Sequence, residues 1–188
     1  MISRYLAGAI AVGLALTPGL AAAAKWEVRA KESSIALVVT FEGVPLDAKF
    51  GAWDADIDFD PADLAHSTVT VGIGTGSFDS QSEERDEAVK EPDWFDVAAY
   101  PQARFVTKSI RPAGAGRYEA IADLTVRNIT REVKLPFSLT IEGTVARMDG
   151  TLTVQRAEFG VGQGQWAATD HVGGSVVIKV HVVADQVR

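Results

Sequence analysis

The amino-acid sequence predicts an all-β protein. Apolar and polar residues alternate with period 2 along most of the chain. Turn residues separate the alternating runs. Seventeen Gly accompany many Val, Ile, Thr and aromatic residues. At 188 residues the chain has room for one ordinary domain. Its 47% apolar and 23% charged residues give a globular rather than a disordered composition.

The runs follow in order. A short strand starts at Trp26. Ile35, Leu37, Val39 and Phe41 form one apolar face over 34–41. Trp53, Ala55, Ile57 and Phe59 alternate with Asp54, Asp56 and Asp58, and Asp60-Pro61 closes that strand. Val69, Val71 and Ile73 make the next strand. The stretch from Ser80 to Glu91 has helix-forming residues and no alternation, and Ser80 with Glu83 reads as a capping box. This predicts one short helix, after the fourth strand, followed by a loop with Trp94, Phe95 and Tyr100. Strands follow near 103–110, over Tyr118–Leu124 and over Val133–Ile141. A long segment over 144–159 contains Asp149-Gly150, a hairpin signal, so it reads as two short strands or a bulged one. Val176–Val182 is last. About eight strands with one apolar face each can pack as a sandwich or close into a barrel. Periodicity does not choose. A barrel of eight is just wide enough to be filled by side chains or to hold one small ligand.

Met1–Ala24 reads as a signal peptide, leaving 25–188 as the folded domain. Arg4 precedes a largely apolar run to Leu20, and Ala21-Ala22-Ala23-Ala24 offers a cleavage site. The run falls short of the roughly 20 residues a membrane span needs. Export without Cys fits a bacterial periplasm.

Several chemistries are excluded or disfavoured. With no Cys there is no disulfide, thiolate metal site or Cys nucleophile. A net charge of −7 argues against nucleic acid. Asp54, Asp56, Asp58 and Asp60 lack the Gly and terminal Glu of a calcium loop, and alternation explains their spacing as a solvated face. His66, His171 and His181 show no ligand spacing. The Gly72-x-Gly74-x-Gly76 and Gly160-x-Gly162-x-Gly164 runs open no helix and read as strand bends or bulges. The acidic run Glu83–Glu87 reads as a solvated helix face. No nucleophile–base pair stands out, so no catalytic residue and no metal site is expected.

An ordered series of motifs resembles the YceI-like family. It comprises Phe59-Asp60-Pro61-Ala62-Asp63-Leu64, Ser77-Phe78-Asp79, Arg85-Asp86 and Trp94-Phe95-Asp96-Val97 with Tyr100-Pro101 and Phe105. Leu124 to Arg131 with Leu135-Pro136, then Arg156-Ala157-Glu158-Phe159-Gly160, complete it. The resemblance implies an extended antiparallel eight-stranded lipocalin-like barrel, a periplasmic location and a long isoprenoid lipid, a polyprenyl or quinone tail, bound inside. No other cofactor is expected. Arg127 stands where the family often has His, and Asn128 where Gly is usual. The run Gly162 to Trp166 resembles the branch associated with cytochrome b561-type membrane proteins. On this reading the ligand-binding candidates are the large inward residues Phe41, Phe50, Trp53, Phe78, Trp94, Phe95, Phe105 and Trp166, with Arg85 or Arg127 meeting a polar head group. The alternative is a barrel filled by those same side chains, whose outer surface docks a b561-type redox partner. A transient contact with the inner membrane and a homodimer are open.

Overall fold

The computed structural model describes residues 24–187. The signal segment therefore lies almost entirely outside the described residues. Strands β1 (Lys25–Val28) and β2 (Ser34–Phe41) run along the same edge of the last strand, β11 (Val172–Gln186). The kink between them is pinned to β11: Arg29 N–H donates to Val183 O at 2.8 Å, and Val183 N–H donates to Ser33 Oγ at 2.9 Å. Strands β3 (Val44–Phe50) and β4 (Trp53–Asp58) then pair with β2 and β1 respectively, across a bend at Gly51-Ala52. β5 (Thr68–Gly74), β7 (Gln102–Pro112), β8 (Arg117–Val126), β9 (Ile129–Glu142) and β10 (Val145–Gln155) continue the meander to β11. All pairings are antiparallel. Because β1 pairs with both β4 and β11, the sheet closes into a barrel of eight strands, as expected from the sequence.

Two strands, β3 and the two-residue β6 (Phe78–Asp79), were not among those expected, although Val44, Leu46, Ala48 and Phe50 of β3 alternate with Asp47 and Lys49. β3 carries Pro45, which ordinarily demotes a run. Here Pro45 sits on a strand whose other edge meets only β6, at Lys49 and Phe50, so no ladder bond is lost. The β2–β3 turn is Glu42-Gly43 with φ of +47° and +78°, the left-handed pair that a tight hairpin demands. The helix α1 (Glu83–Ala88) lies within the predicted stretch but after these added strands.

Three local expectations are corrected. Ser82, not Ser80, precedes the first turn of α1, and its side chain makes no cap. Ser80 instead donates through N–H and Oγ to Asp86 Oδ1 at 2.8 and 2.7 Å. Asp149-Gly150 is not a hairpin. It lies mid-strand in β10, and the turn is at Gly143-Thr144. A Cβ at Gly150 would come within 3.0 Å of Leu135 and 3.2 Å of Phe137, so this glycine serves side-chain packing across the sheet. Gly160, Gly162 and Gly164 bend no strand; all have positive φ and link two short 3-10 turns.

The barrel core lies at the β1 end, where Trp26, Phe59, Ile110, Leu135 and Leu152 pack together. Trp26 is 7% exposed and its indole N–H donates to Phe59 O at 2.9 Å. Trp26→Ala is expected to cost about 3–5 kcal/mol, measured as a lower urea midpoint at unchanged m. Arg29 grips Asp185 through two bonds of 2.7 Å and holds that carboxyl below its ordinary range. Its contribution to stability is therefore complete above about pH 4 and lost as pH falls through the lowered value. Asp185→Asn should lower the urea midpoint at pH 7, and by progressively less as pH falls through the lowered value.

Candidate functional site

Two hollows lie inside the wall. The inner one, at the β1 end, has a volume of about 120 Å³, and no polar atom faces it. Trp26, Trp53, Phe59, Phe105 and Phe137 stand around it. Ala55, Ala120, Ala146 and Ala184 also point inward, and their short side chains leave the space. Its single polar-type residue, Thr107, has its hydroxyl tied to the backbone: Val69 N–H donates to it at 2.8 Å, and it donates to Val69 O at 3.2 Å.

The outer hollow, about 430 Å³, is bounded on one side by β2, β3 and β11. Its other side is α1, the irregular segment 89–100 and the turns over 156–172. Leu37, Val39, Leu46 and Val176 give it an apolar floor, and Ser82, Glu84 and Arg85 bring polarity. The Arg85 guanidinium sits 5.9 Å above the Phe41 ring, with Nε donating to Ser80 Oγ at 3.2 Å and Nη2 to Ser80 O at 3.1 Å. Asp86 holds Ser80 from the same helix, so the arginine is aimed by its own turn.

The structure sorts the candidates named from sequence. Trp53 and Phe105 line the inner hollow. Phe41, Phe78, Arg85, Trp94, Phe95 and Trp166 line the outer one. Phe50 lines neither; it is 8% exposed and packs edge-on against Phe78 and Phe95, with ring centroids 5.9 and 5.8 Å away. Arg127 lines neither hollow. Its Nη1 donates to Pro92 O, Trp94 O and Gly160 O, and its charge lies 5.5 Å above the Tyr100 ring. It ties down the segment that carries Trp94 and Phe95. These bonds hold a backbone with φ of +56°, which a side-chain-bearing residue adopts at a cost.

The carboxylates and histidines stay dispersed. Asp56 and Asp58 meet Lys25, while His66, His171 and His181 pair with Asp63, Glu42 and Asp149 at three separate places. No group of three or more metal-ligating side chains occurs among the described residues.

A family model described as a YceI-like domain matches residues 26–184. The chain belongs to the YceI-like family. A UPF0312 protein of Pseudomonas savastanoi pv. phaseolicola is 30% identical over 172 residues, covering 86% of this chain and 88% of the relative. A UPF0312 protein of Yersinia pestis is 32% identical over 147 residues, covering 76% of each. Among solved structures, Burkholderia cenocepacia BcnA superposes with a TM-score of 0.81 at 34% identity, over 84% of this chain and 99% of that one. A polyisoprenoid binding domain from Saccharophagus degradans shares the fold, with a TM-score of 0.69 at 13% identity over 88% and 99% of the two chains.

One residue of this YceI-like chain was missed as a site element: Arg156. It is 4% exposed and lines the outer hollow. Its Nε donates to Gly173 O, Nη1 to Val161 O and Gly162 O, and Nη2 to Trp166 O, Ala168 O and Val172 O, at 2.6–3.1 Å. Trp94 lies under its charge at 5.7 Å. Burial pushes the guanidinium pKa down. The sequence signal was the Arg opening the motif Arg156–Gly160, which served only to recognise the family. Gly162 gives it room, since a Cβ there would lie 2.0 Å from Arg156 Nη1 at a φ of +76°. Arg156→Met strands six carbonyls and is expected to cost at least about 3 kcal/mol. Hydrogen exchange should show faster exchange over 161–172, with the β7–β10 ladder little changed.

Proposed function

We propose that this protein is a periplasmic carrier that sequesters a long isoprenoid lipid, a polyprenyl or quinone tail, without catalysing a reaction on it. The observation that carries this reading is the inner hollow: it lies inside the closed wall and presents no polar atom. Such a space offers nothing to water, which needs polar partners to remain in a cavity. It suits an alkyl chain, for which burial is worth about 0.8 kcal/mol per CH₂-sized group before the cost of ordering the chain is subtracted. The outer hollow supplies what a head group needs. Arg85 stands there with Ser82 and Glu84, and the buried guanidinium of Arg156, bonded to backbone carbonyls, adds positive charge. An electron-rich or anionic head group fits that end and the hydrocarbon the other. The polyisoprenoid-binding name of the Saccharophagus degradans domain supports the same ligand class. Export follows from Met1–Ala24 read as a signal peptide. The rival reading, a filled barrel docking a b561-type partner, requires a solid interior, and two hollows argue against it.

Native mass spectrometry of protein purified from its own host, followed by lipid extraction, is expected to give a prenyl lipid at one per chain. Recovery of apo protein that takes up no polyprenol or prenylquinone would refute the carrier. Arg85→Ala should weaken binding of a prenylquinone roughly tenfold, the loss of one hydrogen bond to a charged donor. Binding of squalene, which has no head group, should stay within about twofold of wild type.

A further inference from the structure

The two hollows lie in series but share no lining residue. What separates them is specific. On β2, Ile35 lines the inner hollow and Leu37, the next inward residue, lines the outer. On β11, Val180 lines the inner and Val176 the outer, and Ile178 between them lines neither. Phe50 pairs with Ile35 across β2 and β3, and its ring packs against Phe78 and Phe95 of the outer hollow. Ile178 packs against both the barrel core and the cluster that holds Phe50. Phe50 and Ile178 are thus two of the side chains packed in the partition layer between the hollows, and Phe95 braces Phe50 from the outer side.

We infer that Phe50 and Ile178 determine ligand choice by tail length. This rests on the isoprenoid reading and adds the residues that discriminate. A short tail ends at the partition and gains contacts in the outer hollow alone. A longer tail must turn these side chains out of their packed positions, which costs free energy because the layer is close-packed. That cost is repaid once the tail reaches the inner hollow and buries further groups there. Affinity therefore rises with tail length, stays flat while the partition is crossed, and rises again. The carrier thereby favours long prenyl chains over short ones of identical head group.

The test is a dissociation-constant series on delipidated protein with geraniol, farnesol, geranylgeraniol and solanesol. Trp53 lines the inner hollow while Trp94 and Trp166 line the outer, so quenching by brominated tails reports how deep each one reaches. Wild type should show the flat interval. Phe50→Ala should erase it, tightening geranylgeraniol at least fivefold and leaving geraniol within twofold. Should Phe50→Ala not fold, Phe50→Leu thins the same layer. Ala55→Leu, which fills the inner hollow, should remove the second rise, so that solanesol binds no tighter than farnesol. An even climb with tail length in wild type, or a uniform shift of all four ligands in Phe50→Ala, would overturn the partition and leave the carrier standing. Wild type that binds none of the four would overturn both.

Discussion

Everything about this molecule follows from the need of an eight-stranded closed sheet to do something with its inside. Closure removes the edges of the sheet and fixes a cylinder whose width is set by strand number and tilt. Side chains must fill that cylinder or leave it hollow. Here the inward positions mix Trp, Phe and Leu with Ala55, Ala120, Ala146 and Ala184. The large residues keep the wall continuous, and the small ones withhold the volume that would make the interior solid. Each inward alanine forgoes the burial of a larger side chain, worth roughly 1.5–3 kcal/mol. A hollow kept at that cost stability alone does not explain, and a ligand does.

The kinked strands decide where the hollow lies. β1 and β2 share one edge of β11, and β3 and β4 follow them, so one wall spans both the barrel and the mouth. The bends at Arg29–Ser33 and Gly51-Ala52 let the same strands serve two compartments. The mouth is then roofed by segments with no repetitive structure of their own. Arg127 holds the roof from the β8–β9 turn, and Arg156 holds it from the end of β10. Both arginines act through backbone carbonyls, which satisfies the polar groups of irregular chain at the edge of an apolar space. No buried polar side-chain atom among the described residues is left without a partner.

How much of this was legible in the sequence depends on the scale of the signal. Period-2 alternation is local, so most strands that carry it were readable. Pro45 concealed β3 because a sequence does not say which strand edge is free. Asp149-Gly150 suggested a turn because the same glycine that permits a left-handed bend also permits close packing, and only the neighbours Leu135 and Phe137 decide between them. The aromatic wall of the site was legible as large inward residues. The hollow was not, since Trp53 and Phe105 would look the same in a filled barrel. What distinguishes the two cases is the absence of bulk opposite them, a property of residues on other strands.

The same reasoning explains why Phe50 and Arg127, both plausible ligand contacts from type and position, are not on the walls. A phenylalanine at an inward position can border a space or divide one, and Phe50 divides because Phe78 and Phe95 close on it from the mouth. An arginine beside a loop can face a ligand or bind the loop's own carbonyls. The carbonyls win at Arg127 because Pro92, Trp94 and Gly160 converge on it, and a charged donor gains more from three fixed acceptors than from open solvent. Arg85 differs by its anchorage. Among the described residues its hydrogen bonds go to Ser80 alone, and it lines the outer hollow. On the proposed reading, of Arg85, Arg127 and Arg156 the one with the fewest internal bonds is left to meet a head group, while the other two hold the surrounding segments in place.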